Sequence, residues 1–271
     1  MLKRAIPSSG EEIAAIGLGT WRGFDGGGDA DERAPRRRVL EVLLDAGASV
    51  IDSSPMYGRA EGVAGDLLAD TGRRDEAFVA TKVWTSGGRK GICQMEASFR
   101  LFRTDRIDLM QVHNLVDWKT HLDTMRNWKA EGRLRYIGYT HYRPQAFGDL
   151  MDALRAAPVD FVQFCHSIDE PDAEDEMLPF CAANGIATLI NLPFGGGSLL
   201  RRLRGRPLPG LATELGCTGW AQFCLKYVIS HPAVTCAIPG TSNPDHMADL
   251  VAAAEGPVPD EAARQAMRAL I

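Results

Sequence analysis

No run of apolar residues in this 271-residue chain approaches the ~20 that a bilayer-crossing helix needs, so a membrane-spanning helix is excluded. Linkers and low-complexity stretches are missing too, and nothing in the composition divides the chain into separate domains. With 45% hydrophobic and 24% charged residues it lacks the apolar-poor, highly charged profile of a disordered polypeptide. Cationic excess is lacking as well: the formal net charge of −5 argues against a nucleic-acid surface. One local exception is the run from Arg201 to Arg206, whose four arginines are expected to meet a single anion. Six cysteines, at 93, 165, 181, 217, 224 and 236, form no CxxC pair and no metal-ligand spacing, and a chain of this size needs no disulfide framework. They read as reduced thiols. The opening MLKRAIPSSGEE contains no apolar stretch long enough for a signal peptide, so a cytoplasmic location is expected.

What is present is a series of short apolar runs separated by helical patterns, recurring about every 25 to 30 residues, the repeat of a β/α unit. Eight strands are expected, at 15 to 19, 49 to 52, 78 to 82, 107 to 112, 135 to 139, 161 to 165, 186 to 190 and 234 to 238. From Arg36 to Ala46, apolar residues at Val39, Leu40, Leu43 and Leu44 share one helical face, and Gly47 closes that helix. Further helices are expected near 60 to 69, 91 to 102, 119 to 131, 144 to 156, 173 to 183, 218 to 230 and 244 to 254. Asn243 or Ser242 would cap the last of these, with Pro244 in its first turn. The length is close to the ~250 residues typical of an eightfold β/α barrel, so residues 1 to 271 are expected to form one (β/α)8 TIM-barrel domain.

Four polar residues stand at or near the ends of consecutive runs: Asp52 after SVI, Tyr57 five residues on, Lys82 after FVAT, and His113 after IDLMQV. A free phenol has a pKa of ~10 and is a poor acid unless a cation stabilises its anion. Lys82 supplies such a cation, and a lysine in a buried run needs a carboxylate partner, for which Asp52 is the nearest candidate. A neutral His113 at the rim would hydrogen-bond a substrate oxygen beside the phenol. Singly, each has an ordinary structural explanation: a rim aromatic, a structural ion pair, a satisfied core histidine. Together, at the carboxyl ends of three consecutive strands, they read as one catalytic site that gives a proton to an oxygen.

The segments GLGTW, IDSSPMYG, ATK, IDLMQVHN, RYIG and AIPGT, in register from residue 16 to about 255, resemble the aldo-keto reductase superfamily. The resemblance implies a barrel that reduces an aldehyde or ketone to an alcohol by hydride transfer from a nicotinamide cofactor. It casts Tyr57 as general acid, Lys82 and Asp52 as the pair that lowers its pKa, and His113 as the residue that orients the carbonyl. It also places the cofactor along the rim. Gly19, Thr20, Trp21 and Asp52 would be among its contacts, and Thr140, His141 and Gln163 would face the nicotinamide amide. Asn191, followed by Leu192 and Pro193, occupies the place of the family's ring-stacking aromatic, and the segment from Phe194 through Gly195 and Gly197 to Ser198 would lay backbone amides along the pyrophosphate, while Arg201, Arg202 or Arg204 would reach across to the 2′-phosphate. Ile238, Gly240, Thr241, Ser242, Asn243 and His246 fall where the family grips a 2′-phosphate. Gly240 and His246 replace its usual lysine and arginine, so the cofactor expected is NADP(H) with NAD(H) use possible.

Trp21, Phe24, Met56, Trp84 and Trp118 are expected to line the substrate pocket, and aromatic walls suit a flat or apolar carbonyl compound. After Pro259 only the short helical segment from Asp260 to Ile271 remains, which implies an open pocket with broad substrate preference. The expected partner is a small carbonyl substrate, with no nucleic acid and no membrane, and the chain is expected to act as a monomer or weak homo-oligomer. Two other readings stand beside this one. A nucleotide-binding sensor would keep the fold with little turnover. A metal-dependent barrel lyase or hydrolase would use His113, His141 and His166 with Asp52 or Asp169, although no HxH or HExxH spacing fixes two ligands and no metal is expected.

Overall fold

A computed structural model describes residues 1–271. The chain opens with an antiparallel hairpin, β1 (Lys3–Ala5) and β2 (Glu12–Ala14). Eight parallel strands follow: β3 (Leu18–Gly19), β4 (Val50–Asp52), β5 (Phe78–Val83), β6 (Ile107–His113), β7 (Leu134–Thr140), β8 (Phe161–Cys165), β9 (Ala187–Asn191) and β10 (Cys236–Ala237). Each pairs with the next in chain order. The seam between β10 and β3 closes through backbone bonds from Gly17 N to Ala237 O (2.8 Å), Ala237 N to Ala15 O (2.9 Å) and Gly19 N to Pro239 O (2.9 Å). Glycine is required there because a Cβ on residue 19 would stand 2.7 Å from the Ile238 carbonyl oxygen. The result is the expected (β/α)8 barrel.

Helices clothe the barrel: α1 (Ala30–Asp45), α2 (Ala60–Thr71), α3 (Gly88–Leu101), α4 (Trp118–Ala130), α5 (Phe147–Ala156), α6 (Met177–Ala183), α7 (Ser198–Leu203), α8 (Gly210–Glu214), α9 (Trp220–Ser230), α10 (Pro244–Ala252) and α11 (Glu261–Ala269). Helix α1 starts six residues before its expected first turn at Arg36. The segment DADERAP carries no apolar periodicity, but the Asp29 side chain accepts the Glu32 N–H at 2.9 Å and caps the helix, while Pro35 is accommodated in its early turns. Helices α7 and α8 were not foreseen, because helices of six and five residues, one beside a glycine-rich turn and one after Pro207 and Pro209, are too short to show a helical period. Of the two candidate caps for α10, Asn243 takes the role, its Oδ1 accepting the N–H groups of Asp245 and His246.

Two apolar layers hold these elements. Between barrel and helices, residues such as Leu43, Val79, Met110, Ile137 and Phe164 form a continuous buried shell. Inside the barrel, Val50, Phe78, Leu109, Tyr136, Phe161 and Leu189 meet Ile6 and Ile13 of the hairpin. Phe78 and Phe161 both pack against Tyr136, with ring centroids 5.9 and 5.5 Å away. Val50, Phe78 and Phe161 are the first residues of their strands, so the hairpin plugs the amino-terminal end of the barrel. The carboxyl-terminal rim is left as the functional end. At the chain's end, α11 docks through Arg264, which is buried and donates to the Tyr227 carbonyl and to the Glu174 carboxylate, where the Tyr227 hydroxyl also donates at 2.8 Å.

Candidate active site

Asp52 is the last residue of β4, Lys82 the penultimate residue of β5, and His113 the last of β6, so three adjacent strands deliver three side chains to one rim. Tyr57 lies on the turn between β4 and α2, its N–H donating to Ser54 O at 2.9 Å and its carbonyl accepting from Ala60 at 3.1 Å. The Lys82 side chain is 0% exposed. Its Nζ donates to Asp52 Oδ2 at 2.6 Å and to the Ser53 carbonyl at 2.6 Å, and stands 5.3 Å from the centroid of the Tyr57 ring. His113 meets Tyr57 edge to face at 6.1 Å between centroids. The structure therefore brings all four expected residues together.

Electrostatics at the site follow from burial. His113 is held down to about 3 by burial and by the neighbouring Lys82, so its imidazole is neutral across the physiological range. Burial pulls Lys82 down from its ordinary value while Asp52 opposes that shift. Tyr57 departs from expectation: burial first, and the Asp52 carboxylate second, push its phenol above the usual range rather than below it. The Lys82 ammonium, which donates to Asp52 and Ser53 and meets the tyrosine through its ring, does not offset that burial. The phenol is thereby kept fully protonated, the state an acid must start from.

Gln111, Glu61 and Ser54 serve the site although the sequence did not single them out. Gln111 donates from Nε2 to Asp52 Oδ1 at 3.1 Å, as does Gln163 at 2.9 Å, and Thr140 Oγ1 donates to Gln163 Oε1 at 3.0 Å, so these two expected cofactor contacts also support Asp52. Asp52 is thus fixed from both oxygens. Gln111 was legible in principle, being a polar residue two positions before His113 in an apolar strand and hence on the same face. Glu61, buried on α2, takes the Thr81 hydroxyl at 2.5 Å and the Ser98 hydroxyl at 2.8 Å behind the strand that carries Lys82. Ser54 lies with its Oγ 3.1 Å from His113 Nδ1.

Around this centre the expected pocket residues divide. Trp21, Met56 and Trp84 are exposed apolar side chains, 42%, 41% and 42% accessible. The Trp84 ring centroid is 6.3 Å from that of His113, and Trp118 is half-buried against Tyr139. Phe24 is a correction: it is wholly buried in the shell between barrel and helices and offers nothing to a pocket, because the loop that carries it folds inward. The Thr20 hydroxyl is likewise directed inward, donating to the Asp52 carbonyl and to Ser53 Oγ.

The remaining rim positions form an arc over β7 to β10. His141 stacks on Tyr142 with planes 5° apart, and Asn191, at the end of β9, has a buried Oδ1 without a partner. Beyond Leu192 and Pro193, Gly195, Gly196 and Gly197 all adopt positive φ (55°, 64° and 89°), a left-handed run that only glycine takes without strain. Arg201 overhangs that turn, with Nη1 3.3 Å from where a Cβ on residue 197 would be. Thr241 Oγ1 accepts the Asn243 N–H at 3.0 Å where α10 begins. An unsatisfied amide oxygen, a glycine turn under a guanidinium and a capped helix start are what an elongated phosphate-bearing cofactor would need.

The metal reading has no geometry behind it. No three His, Cys, Asp or Glu side chains converge on a point able to hold a metal ion. His113 pairs with Ser54, whereas His166 Nε2 sits 3.3 Å from Glu174 Oε1 beneath α9. No helix is long and apolar enough to cross a membrane.

The model of the aldo/keto reductase family matches residues 15–270. Aldo-keto reductase YhdN of Bacillus subtilis is 32% identical over 227 residues, 78% of this chain and 64% of that protein's own length. Methylglyoxal reductase YeaE of Escherichia coli is 28% identical over 264 residues, 94% of this chain and 90% of that protein. Among solved structures, an aldo/keto reductase from Klebsiella pneumoniae in complex with NADP and acetate superposes with a TM-score of 0.84 at 26% identity, covering 100% of this chain and 95% of that one. A match to the family model over nearly the full length, on a barrel whose rim gathers these four side chains, makes this chain a member of the aldo/keto reductase family.

Proposed function

We propose that this protein reduces the carbonyl group of a small aldehyde or ketone to an alcohol, with Tyr57 as the proton donor and the whole chain, residues 1 to 271, acting as one barrel domain. The observation that carries the reading is the buried Lys82–Asp52 pair at 2.6 Å beneath Tyr57, with neutral His113 facing the same ring. A reduced nicotinamide cofactor would supply the hydride. The residues that fit it are Thr140, His141, Gln163 and Asn191 at the nicotinamide end, then the turn from Phe194 to Gly197 with Arg201, and Thr241 to Asn243 at the start of α10.

The chain's own part is to hold and move a proton. A carbonyl oxygen placed between the Tyr57 hydroxyl and the His113 ring would receive a hydrogen bond from each. As charge develops on that oxygen, the Tyr57 O–H bond breaks, the proton passes to the oxygen, and the phenolate left behind is stabilised by the Lys82 ammonium before water reprotonates it. Asp52, fixed by Gln111 and Gln163, keeps Lys82 in place throughout. Trp21, Met56 and Trp84 form exposed apolar walls suited to a substrate such as an aromatic aldehyde or a small dicarbonyl.

NADP(H) is the cofactor proposed, in keeping with the NADP-bound Klebsiella relative. NAD(H) is accepted as well, because Gly240 and His246 provide no fixed positive charge for a 2′-phosphate. The test is oxidation of NADPH in the presence of methylglyoxal and a series of aromatic aldehydes. Tyr57→Phe should lose about 10²- to 10⁴-fold in turnover with cofactor affinity unchanged. Wild-type turnover in Tyr57→Phe would refute the role, and tight NADPH binding without turnover on any carbonyl would favour nucleotide sensing.

A further inference from the structure

Ser54 is fully buried and touches two groups through one oxygen: His113 Nδ1 at 3.1 Å and the Met56 N–H at 3.4 Å. The backbone N–H can only donate, so it occupies a lone pair of Oγ. The hydroxyl proton of Ser54 then needs an acceptor, and the one within reach is Nδ1. Were the imidazole proton on Nδ1 instead, Oγ would face two donors and its own proton would be stranded in a buried position, an arrangement folded proteins avoid. The ring is neutral, so one nitrogen carries the proton and the other accepts.

The geometry points to Ser54 as a positioning residue that accepts from Met56, donates to His113 Nδ1 and thereby confines the imidazole proton to Nε2, the nitrogen left to donate to a carbonyl oxygen. The inference rests on the carbonyl-reductase reading for its purpose, though not for its geometry. The two glutamines on Asp52 Oδ1 and the serine at His113 Nδ1 are all neutral, so they orient the site without adding charge to it. The second serine of the SSPMYG segment acquires a role distinct from that of Ser53, whose carbonyl accepts from Lys82.

The experiment is nitrogen NMR of the full-length protein labelled in its six histidines, with His113→Gln used to assign the His113 resonances. The expected pattern at neutral pH is Nδ1 as an unprotonated acceptor and Nε2 protonated, with the Nδ1 resonance displaced in Ser54→Ala and restored in Ser54→Thr. In parallel, Ser54→Ala should lower kcat/KM for an aldehyde about tenfold with the dissociation constant for NADPH unchanged, and Ser54→Thr should recover most of that loss. A wild-type proton on Nδ1, or an Nδ1 resonance indifferent to Ser54→Ala, overturns the assignment. Because the wild-type spectrum needs no turnover, an enzyme inactive on every carbonyl would sink the reductase reading while the tautomer still decides the role of Ser54.

Discussion

Replacing Lys82 by methionine isolates the ion pair on which the site is built. Methionine matches the aliphatic stem, so the perturbation is loss of the ammonium from a side chain with 0% exposure, opposite an Asp52 side chain with 3%. Asp52 would keep the two amide donors on Oδ1 and lose its only cation on Oδ2. Breaking a buried pair from one side leaves an uncompensated charge and costs about 3–5 kcal/mol. For a domain of this size that is roughly a 6–20 °C fall in melting temperature. Removing both charges should be far milder: in Asp52→Asn/Lys82→Met the asparagine Oδ1 still accepts from both glutamines, so about 2–3 kcal/mol of the loss should return as coupling. Urea unfolding of the wild type, the two single variants and the double variant at pH 7 gives all four free energies. Turnover should be absent from the double variant even as stability recovers, since the phenolate would then lack its cation. A Lys82→Met protein within about 1 kcal/mol of wild type, or strictly additive losses, would refute the account of a mutually dependent buried pair.

Other outcomes follow from the same structure. His113, at about 3 when folded, takes up its proton near pH 6.5 once unfolded, so its contribution is fully present above about 6.5 and is lost as the pH falls from there towards 3. The difference in unfolding free energy between pH 7 and pH 4 should shrink in His113→Gln by about 3 kcal/mol, and an unchanged difference would contradict the burial-driven shift. Arg264→Ala removes the cation that α11 inserts against Glu174 and the Tyr227 carbonyl, and should destabilise by about 3–5 kcal/mol with α11 becoming protease-sensitive; resistance equal to wild type would show that the contact does not hold the helix. Tryptophan fluorescence titrations with NADPH and NADH should give affinities within about tenfold of each other, because each missing charged donor to a 2′-phosphate forgoes ~1.5–3 kcal/mol. A thousandfold preference for NADPH would mean that Arg201 or another cation reaches the phosphate.

The amino-acid sequence by itself determined the eight strands and the rim positions of Asp52, Lys82 and His113, because strand ends in a β/α barrel are marked by local apolar runs and all fall on one face of the molecule. It also narrowed the cap of α10 to Asn243 or Ser242, a short-range signal, between which the structure selects Asn243. It did not determine where the amino-terminal hairpin goes: three-residue strands leave almost no periodicity, and only folding shows that Ile6 and Ile13 plug the barrel. Pocket membership was decided in three dimensions too. Trp21 and Phe24 lie three residues apart in one glycine-rich loop, yet one is exposed and the other wholly buried, a difference set by how that loop packs. The direction of the Tyr57 shift was likewise fixed by tertiary structure, since desolvation depends on everything packed around the ring, whereas the charge of Lys82 was visible in the residue itself. Bonds such as Gln111 to Asp52 and Ser54 to His113 span 59 positions each, and no local pattern specifies a partner that far along the chain.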